Sequence, residues 1–308
     1  MRLALTHAPT DVAQHDPSRL YRGVVGVALE PVVRKLHGHG LGRHKAVWWT
    51  HRAIWRLTHS NRVAINGLDM ETDFHDSLQL ARGTYEPTEV AWYKSHIKPG
   101  DRVLELGGNI GYFTCLYAKW VGPKGRVVAY EPDPMLHAIS ERNLERNEVA
   151  DHAEVRRFAV SDAPGSAQFF RAGRNYGNNS LFRDEADALG GTSFDVDLVT
   201  LDEDLADFDE QFDFVKMDIQ GAESHVLSGM QKMLEERPPR LMLLEFWPYG
   251  LSNMGRDPQM MLDQLRSAGY ELSELGSKTP VDDAELLTRL TPTNRAWTSL
   301  VCERALAA

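Results

Sequence analysis

The chain has 308 residues, of which 42% are hydrophobic and 25% are charged, and its formal net charge is −10. These fractions exclude a disordered, collagen-like or coiled-coil protein. Its two cysteines, Cys115 and Cys302, are too few to crosslink such a chain and lack a metal-binding spacing, which predicts a reducing, cytoplasmic compartment. No apolar run is long enough to predict a signal peptide or a transmembrane helix.

The first 60 residues differ in charge from the rest of the chain. They carry a net charge of +6, whereas residues 61–308 carry −16. The apolar spacing between Trp48 and Trp55 predicts helical structure in the basic part. We expect residues 1–60 to form a helical extension that is either a lid over the acceptor side or a dimer arm, and residues 61–308 to form the main domain. The acidic main domain argues against nucleic acid as a partner.

The main domain begins with a hairpin signal, because Asn66-Gly67 tolerates the positive φ angles that a tight turn needs. A helix is predicted at 88–97. Strands are predicted at 102–106, 125–130, 154–160, 167–170, 212–218, 240–245, 270–275 and 297–304, and further helices at 111–120, 134–146, 222–236 and 258–268. This alternation is typical of an α/β fold in which helices cover both faces of a mostly parallel sheet.

The strongest local signal is a glycine-rich turn between the strand at 102–106 and the following helix. Glycine at 107, 108 and 111 permits close approach of the backbone to a ligand, and the helix start offers unpaired N–H groups. The dinucleotide pattern G-x-G-x-x-G is absent, and Glu105 precedes the turn. A carboxylate repels pyrophosphate but attracts the sulfonium and ammonium groups of S-adenosylmethionine. The turn therefore favours that cofactor, although Glu105 alone is also compatible with a helix cap.

Glu131 ends the second strand, about 20 residues beyond the turn. An acidic side chain at this spacing is placed to accept hydrogen bonds from both ribose hydroxyls. A solvent-exposed strand end is the alternative interpretation.

Two runs carry a family resemblance. Gly100-Asp-Arg-Val-Leu-Glu-Leu-Gly-Gly-Asn-Ile-Gly-Tyr-Phe-Thr114 resembles the opening motif of class I S-adenosylmethionine-dependent methyltransferases. Val215-Lys-Met-Asp-Ile-Gln-Gly-Ala-Glu223 resembles the signature of the FkbM-type methyltransferases, with Gln220 where that family usually has Glu. The resemblance implies a Rossmann-like, mostly parallel sheet whose last strand is antiparallel. It also implies cofactor contacts from Tyr85, Glu105, Gly107, Asn109, Gly111, Glu131, Asp162 and Asp218, with Asp162 at the adenine.

Candidate catalytic residues follow two strands of the predicted sheet. Asp218 and Glu245 each end a strand, where an α/β sheet places its ligands, and Glu223 and His225 lie in the helix after Asp218. Each is a candidate for the base or for binding the methyl acceptor. The alternative role is a helix cap for Asp218 and a contact with the helix dipole for Glu223. His225 also has a purely structural interpretation. If a metal takes part, Asp218 and Glu245 would hold Mg²⁺.

The acceptor side is predicted from polar and aromatic residues. The polar stretch that contains Tyr176 and Asn179 is expected to face the acceptor, and Trp247 with Tyr249 is expected to form a platform for a sugar ring or simply to pack at the rim. The predicted function is O-methylation of a hydroxyl on a small natural product, with a saccharide favoured over a polyketide. A nicotinamide-dependent oxidoreductase and a non-catalytic scaffold are the alternatives.

Overall fold

The computed structural model describes residues 61–73, 78–80, 83, 85–173, 175–183 and 191–304. The extension predicted over residues 1–60, with its possible roles as lid or dimer arm, lies outside the described residues and stays a prediction. Within the described part, no helix is both long and apolar enough to cross a bilayer.

The strands form a main sheet and two small ones. In chain order the strands are β1 (Arg62–Ile65), β2 (Leu68–Glu71), β3 (Arg102–Leu106), β4 (Arg126–Tyr130), β5 (Ala153–Arg156), β6 (Ala159–Val160), β7 (Gly165–Arg171), β8 (Thr192–Val199), β9 (Phe214–Met217), β10 (Leu241–Phe246), β11 (Tyr270–Glu274) and β12 (Thr298–Arg304). The main sheet has the order β11-β12-β10-β9-β3-β4-β5. Its central strands are parallel, whereas β12 is antiparallel to both neighbours. The predicted fold class, including the antiparallel last strand, is confirmed.

Helices connect these strands. In chain order the described α-helices are α1 (Pro87–His96), α2 (Tyr112–Val121), α3 (Pro134–Arg146), α4 (Leu201–Asp204), α5 (Glu223–Gly229), α6 (Gln231–Glu236), α7 (Pro248–Asn253), α8 (Pro258–Ser267) and α9 (Asp283–Arg289). The chain leaves β3 toward β4 and β5 on one side, then returns to β9 and β10 on the other side. The carboxyl ends of β3 and β9 are therefore neighbours at the point where the strand order reverses, which is where such sheets bind ligands.

The central strands are nearly all apolar because both sheet faces are covered. Alternate residues enter opposite cores, so that Val103 packs with one cluster and Leu104 with the other. The charged residues inside these buried strands are the exceptions. Glu105, Lys216 and Glu245 interrupt apolar runs. Burying a charged group is costly without a partner, so these three positions indicate a functional site.

Several elements differ from their predicted bounds. The strand predicted at 154–160 divides into β5 and β6, which belong to different sheets. The helix predicted at 222–236 divides into α5 and α6, which meet at Met230. Strand β8 and helix α9 were not predicted. β8 alternates polar and apolar side chains and pairs with β7, so it lacks the continuous apolar run that marks the central strands.

Candidate active site

Two adjoining cavities lie at the carboxyl ends of β3, β4, β9 and β10. We call the first the glycine cleft; its lining includes the turn from Gly107 to Asn109 together with Glu131. We call the second, of about 420 Å³, the acidic cavity, because the carboxyl groups of Glu86, Glu89, Asp218 and Glu245 line it. Both cavities are lined by Leu78, Tyr85, Gly177, Lys216 and Asp218. The two spaces therefore meet at these five residues.

The glycine turn is held by close backbone packing. Gly107 has φ +88°, and its N–H donates to the Tyr130 carbonyl at 3.0 Å. A Cβ atom at this position would lie 2.2 Å from the backbone oxygen of Asp218. Gly111 has φ +79°, and its Cβ would lie 2.4 Å from the hydroxyl of Ser140. Glycine is required at both positions, since they combine left-handed backbone with close contact.

The carboxylate of Glu131 is bound by backbone N–H groups. Asn109 donates to Oε2 at 2.8 Å, and Asp133 donates to Oε1 at 2.9 Å. Burial raises the pKa of Glu131 to about 8 despite these donors. Asn109 also donates its side-chain amide to the Tyr176 carbonyl at 3.4 Å. Glu131 is thus fixed in the cleft, and Asn109 joins the glycine turn to the loop that contains Tyr176.

Glu105 and Lys216 are directly opposite each other on the adjacent strands β3 and β9. Thr114 donates its hydroxyl to Oε2 of Glu105 at 2.6 Å. Burial raises the pKa of Glu105 to about 7, against the effect of Lys216. Burial lowers the pKa of Lys216, but the nearby carboxylates of Asp218 and Glu105 outweigh it and raise this pKa above its usual value. Lys216 therefore places a buried ammonium group, paired with carboxylates, between the two cavities.

Asp218 is bound on both oxygens. The ammonium of Lys216 lies 3.2 Å from Oδ2, and the amide nitrogen of Gln220 donates to Oδ1 at 3.1 Å. The same amide nitrogen donates to Oε2 of Glu245 at 3.1 Å. Burial, and then the charge of Asp218, raises the pKa of Glu245 well above its usual range. Gln220, with φ +54°, thus links the two candidate carboxylates.

Magnesium at Asp218 and Glu245 is not supported. In the part of the chain that the structure describes, no group of three or more His, Cys, Asp or Glu side chains is arranged to hold a metal ion. The residue that joins these two carboxylates is a neutral amide donor, Gln220.

Five predicted site residues line neither cavity: Gly111, Asp162, Glu223, His225 and Tyr249. The carboxylate of Asp162 forms an ion pair with Arg256 at 2.5 Å and does not line the glycine cleft. His225 lies near these same two residues, where burial and then Arg256 lower its pKa, and it lines neither cavity. Glu223 is fully buried, and its Oε1 accepts from the Ile219 N–H at 3.1 Å. Glu223 therefore supports the loop after Asp218 from beneath, and Asp162 and His225 lie outside the cleft.

The residues predicted on the acceptor side divide between the two cavities. Tyr176 and Asn179 line the glycine cleft, whereas Trp247 lines the acidic cavity. Tyr249 packs on Trp247 with ring centroids 5.4 Å apart, and the guanidinium of Arg295 lies 4.5 Å from the Tyr249 ring. The two aromatic residues of the predicted platform therefore pack together, and of the two only Trp247 lines the acidic cavity.

Several residues that line the acidic cavity are not among those predicted from the sequence. Lys216 carried a usable signal, because a lysine within an apolar strand predicts a buried charge pair. Glu86 and Glu89 belong to the start of α1 and carried no such signal. Trp297, which is 54% exposed, lies at the cavity as well.

Comparisons with known proteins bear on the same region. A sequence model described as the methyltransferase FkbM domain matches residues 105–272. Methyltransferase sdnD from Sordaria araneosa is 26% identical over 214 residues, which make up 60% of this chain and 80% of that protein. Protein-L-isoaspartate O-methyltransferase 1 from Arabidopsis thaliana is 36% identical over 72 residues, 23% of this chain and 31% of that protein.

The solved structures that align with this chain have lower sequence identity to it than the relatives found by sequence. The O-methyltransferase from Bacillus cereus in complex with SAH aligns over 72% of this chain and 83% of that chain, with a TM-score of 0.42 and 16% identity. Fibrillarin from Aeropyrum pernix with natively bound S-adenosyl-L-methionine aligns over 70% of this chain and 73% of that chain, with a TM-score of 0.39 and 14% identity.

The family match covers more than half of the chain and contains the glycine turn, Glu131, Asp218 and Glu245. The topology of the main sheet, with its reversed last strand, agrees with that match. The chain belongs to the FkbM family of S-adenosylmethionine-dependent methyltransferases.

Proposed function

We propose that this protein methylates a hydroxyl group of a small acceptor, with S-adenosylmethionine in the glycine cleft and the acceptor in the acidic cavity. The observation that carries this proposal is the junction of the two cavities at Tyr85, Lys216 and Asp218. A donor in one space and an acceptor in the other would meet there, and holding two reactants in contact is a large part of transferase catalysis.

The glycine cleft suits S-adenosylmethionine by its charges. The buried carboxyls of Glu105 and Glu131 line it, and Lys216 is the one lysine or arginine in the described part of its lining. Such a cleft repels pyrophosphate and favours a cationic ligand. Glu131 is placed to accept from ribose hydroxyls, and Glu105 to balance the positive charge of the ligand. This charge pattern and the family membership both speak against the nicotinamide alternative.

The bound cofactor would supply a methyl group activated by a sulfonium sulfur. The residues of the chain would position the acceptor oxygen and take its proton. We assign the proton to Asp218, because its carboxylate lines both cavities and is the acidic side chain that they share. The ammonium of Lys216 and the side-chain amide of Gln220 hold the two oxygens of Asp218, and the same amide also binds Glu245.

A saccharide acceptor is favoured over a polyketide by the cavity walls. Polar side chains line the acidic cavity, and Trp247 and Trp297 add aromatic surface. Aromatic faces bind the apolar faces of sugar rings, while polar side chains bind their hydroxyls. A polyketide would leave many of these polar groups without partners, which is costly.

The test is a methyl-transfer screen of hydroxylated saccharides and polyketides with labelled S-adenosylmethionine. Binding of S-adenosylmethionine and of NADH is measured in parallel by isothermal titration. We expect the protein to bind S-adenosylmethionine but not NADH. We also expect label in at least one saccharide, with or without a metal chelator. Binding without transfer to any acceptor would support the scaffold alternative. Transfer that stops with chelator and returns with Mg²⁺ would overturn the metal-independent role of Asp218.

A further inference from the structure

Asp218 and Glu245 share one hydrogen-bond donor. The side-chain nitrogen of Gln220 lies 3.1 Å from Oδ1 of Asp218 and 3.1 Å from Oε2 of Glu245. A primary amide carries two N–H groups, so this single nitrogen can donate one hydrogen bond to each carboxyl group. The two acidic residues belong to neighbouring parts of the main sheet, because β9 and β10 pair in parallel. Gln220 therefore bridges them.

The bridge separates two groups that would otherwise repel each other or compete for one proton. Burial, and then the charge of Asp218, raises the pKa of Glu245 well above its usual range, which favours its protonated form. Glu223 from beneath the loop and Glu89 of α1 act on Glu245 in the same direction, and Lys216 acts in the opposite one. Asp218 is bound by the ammonium of Lys216 on its other oxygen, at 3.2 Å. Its carboxylate is thus held between a cation and a neutral amide.

The backbone that carries Gln220 is fixed by its neighbours. Gly221, with φ +94°, packs so closely on Gly250 that a Cβ atom would lie 2.5 Å from the carbonyl carbon of Gly250. The Ile219 N–H donates to Oε1 of Glu223 at 3.1 Å. Gln220 itself has φ +54°, a left-handed conformation that residues other than glycine rarely adopt. Such conformations persist where the surrounding structure imposes them, and they are concentrated at functional sites.

Asp218 stays open to an acceptor although both of its oxygens are bound. Its side chain is 38% exposed and lines both cavities, whereas Gln220 and Glu245 line the acidic cavity and not the glycine cleft. Lys216 thus restrains the carboxylate at the junction, and Gln220 restrains it on the acceptor side. A general base must lie within hydrogen-bond reach of the proton it removes, and a displacement of about 1 Å can cost about 10²-fold in rate.

We propose that Gln220 is a positioning residue for methyl transfer, whose amide separates Glu245 from Asp218 and holds the Asp218 carboxylate toward the acceptor oxygen. This role rests on the proposed function, in which Asp218 takes the acceptor proton. It also accounts for the residue at which this chain departs from the FkbM-type signature. A Glu side chain at 220 would place a third carboxyl group between the other two, whereas a neutral amide donates to both.

Two variants of similar size separate the hydrogen bonds of Gln220 from its charge. Gln220→Met removes both donors, and Gln220→Glu removes them and adds a negative charge. With the best-labelled saccharide of the screen as acceptor, we expect kcat to fall by about tenfold to a hundredfold in Gln220→Met and further in Gln220→Glu. The affinity for S-adenosylhomocysteine should stay near that of the native protein, because Gln220 does not line the glycine cleft. Gln168→Met and Gln168→Glu, at an exposed position of β7, are the controls.

The pH dependence of kcat supplies a readout that a merely structural role would not change. Removing a donor to a carboxylate, or adding a negative charge beside it, disfavours the ionised form. We therefore expect the pH of half-maximal kcat to rise in Gln220→Met and to rise more in Gln220→Glu. A native pH profile in both variants, or a native kcat in Gln220→Met, would overturn the role of Gln220 and leave methyl transfer by Asp218 standing.

A crystal structure of Gln220→Met with S-adenosylhomocysteine tests the same role without an acceptor. We expect the carboxyl groups of Asp218 and Glu245 to change their separation, with Lys216 still bound to Asp218. Unchanged positions of both carboxyl groups would refute the positioning role, whatever the acceptor screen finds. Transfer by the native protein to no hydroxyl acceptor would refute the proposed function, whereas a displaced Asp218 in this variant would still support its positioning by Gln220.

Discussion

The glycine cleft and the acidic cavity are formed in different ways. The glycine cleft is shaped largely by backbone, with Gly107 packed on the carbonyl of Asp218 and Glu131 bound by two N–H groups. Among the described residues, the acidic cavity is lined by side chains from 78–79, 85–93, 175–182, 216–220, 243–247 and 295–299. A backbone site suits a ligand that every family member shares, whereas a side-chain site can change with the acceptor. Substitutions in the cleft should therefore affect cofactor binding, and those in the cavity should affect turnover and specificity.

The largest expected effect is that of Gly107→Ala. The added Cβ would lie 2.2 Å from the Asp218 backbone oxygen at a φ of +88°. Displacing either β3 or β9 opens the junction of the cavities, so we expect cofactor binding to be lost, as measured by isothermal titration. Gly100→Ala is the matched control, because Gly100 has φ +91° and open space around its Cβ position. That variant should keep its affinity and lose only about 1–2 kcal/mol of folding free energy. Equal affinities in the two variants would show that the contact with Asp218 is unimportant.

Asp218→Asn tests the acidic cavity by removing charge while keeping shape. We expect turnover to fall by roughly 10²–10⁴-fold, with a much smaller change in cofactor affinity, because we propose that this side chain takes the acceptor proton. Steady-state kinetics on an acceptor from the screen and a binding titration measure the two quantities. Asp195→Asn, at an exposed position of β8, is the control. Near-normal turnover in Asp218→Asn would remove this residue from proton transfer.

Glu131→Gln is expected to affect cofactor binding more than turnover, the reverse of Asp218→Asn. The amide keeps one acceptor oxygen but turns an NH₂ group toward a backbone N–H, of Asn109 or of Asp133. Binding of S-adenosylmethionine should weaken by about 1.5–3 kcal/mol, the range for a hydrogen bond to a charged group. Turnover at saturating cofactor should change little, and exposed Glu145→Gln serves as the control. A fall in saturated turnover without weaker binding would contradict the division between cleft and cavity.

A change of pH is expected to have a smaller effect on the affinity for the cofactor. The pKa values of Glu105 and Glu131 are raised to about 7 and about 8 in the free protein. Both are therefore largely protonated at about pH 6 and ionised at about pH 9. Since a cationic ligand and ribose hydroxyls prefer the ionised forms, affinity should rise with pH across this interval, and binding should release protons. Titrations in buffers of different ionisation enthalpy measure that release. Proton uptake would contradict the assignment of these carboxyls.

The stability of the free protein should move in the opposite direction with pH. A folded-state pKa that is raised above its unfolded value of 4.5 stabilises the fold below about pH 4.5, and this stabilisation is lost as the pH rises through about 7 to 8. Between about pH 6 and 9, the melting temperature of the free protein should therefore fall more than that of protein saturated with S-adenosylhomocysteine. Glu131→Gln should reduce the difference.

The contrast between the glycine cleft and the acidic cavity also explains which features could be predicted from the sequence. The glycine turn, Glu131 and the reversed last strand were predictable, because each depends on a short run of residues and on the order of elements. The ion pair of Asp162 was not predictable from the sequence, because its partner, Arg256, lies 94 residues further along the chain. Tyr176 was assigned to the acceptor side; it lines the glycine cleft, whereas Asn175 and Asn178 of the same loop line the acidic cavity, so its role stays a prediction. The roles predicted for residues 1–60 remain predictions.

The most direct test of the account is a crystal structure of the protein with S-adenosylhomocysteine. We expect the ribose hydroxyls to contact Glu131, the ligand amino group to lie on the Glu105 side, and the sulfur to face Asp218 at the junction of the two cavities. Density for the nucleoside outside the glycine cleft, or a sulfur that faces away from the acidic cavity, would contradict it.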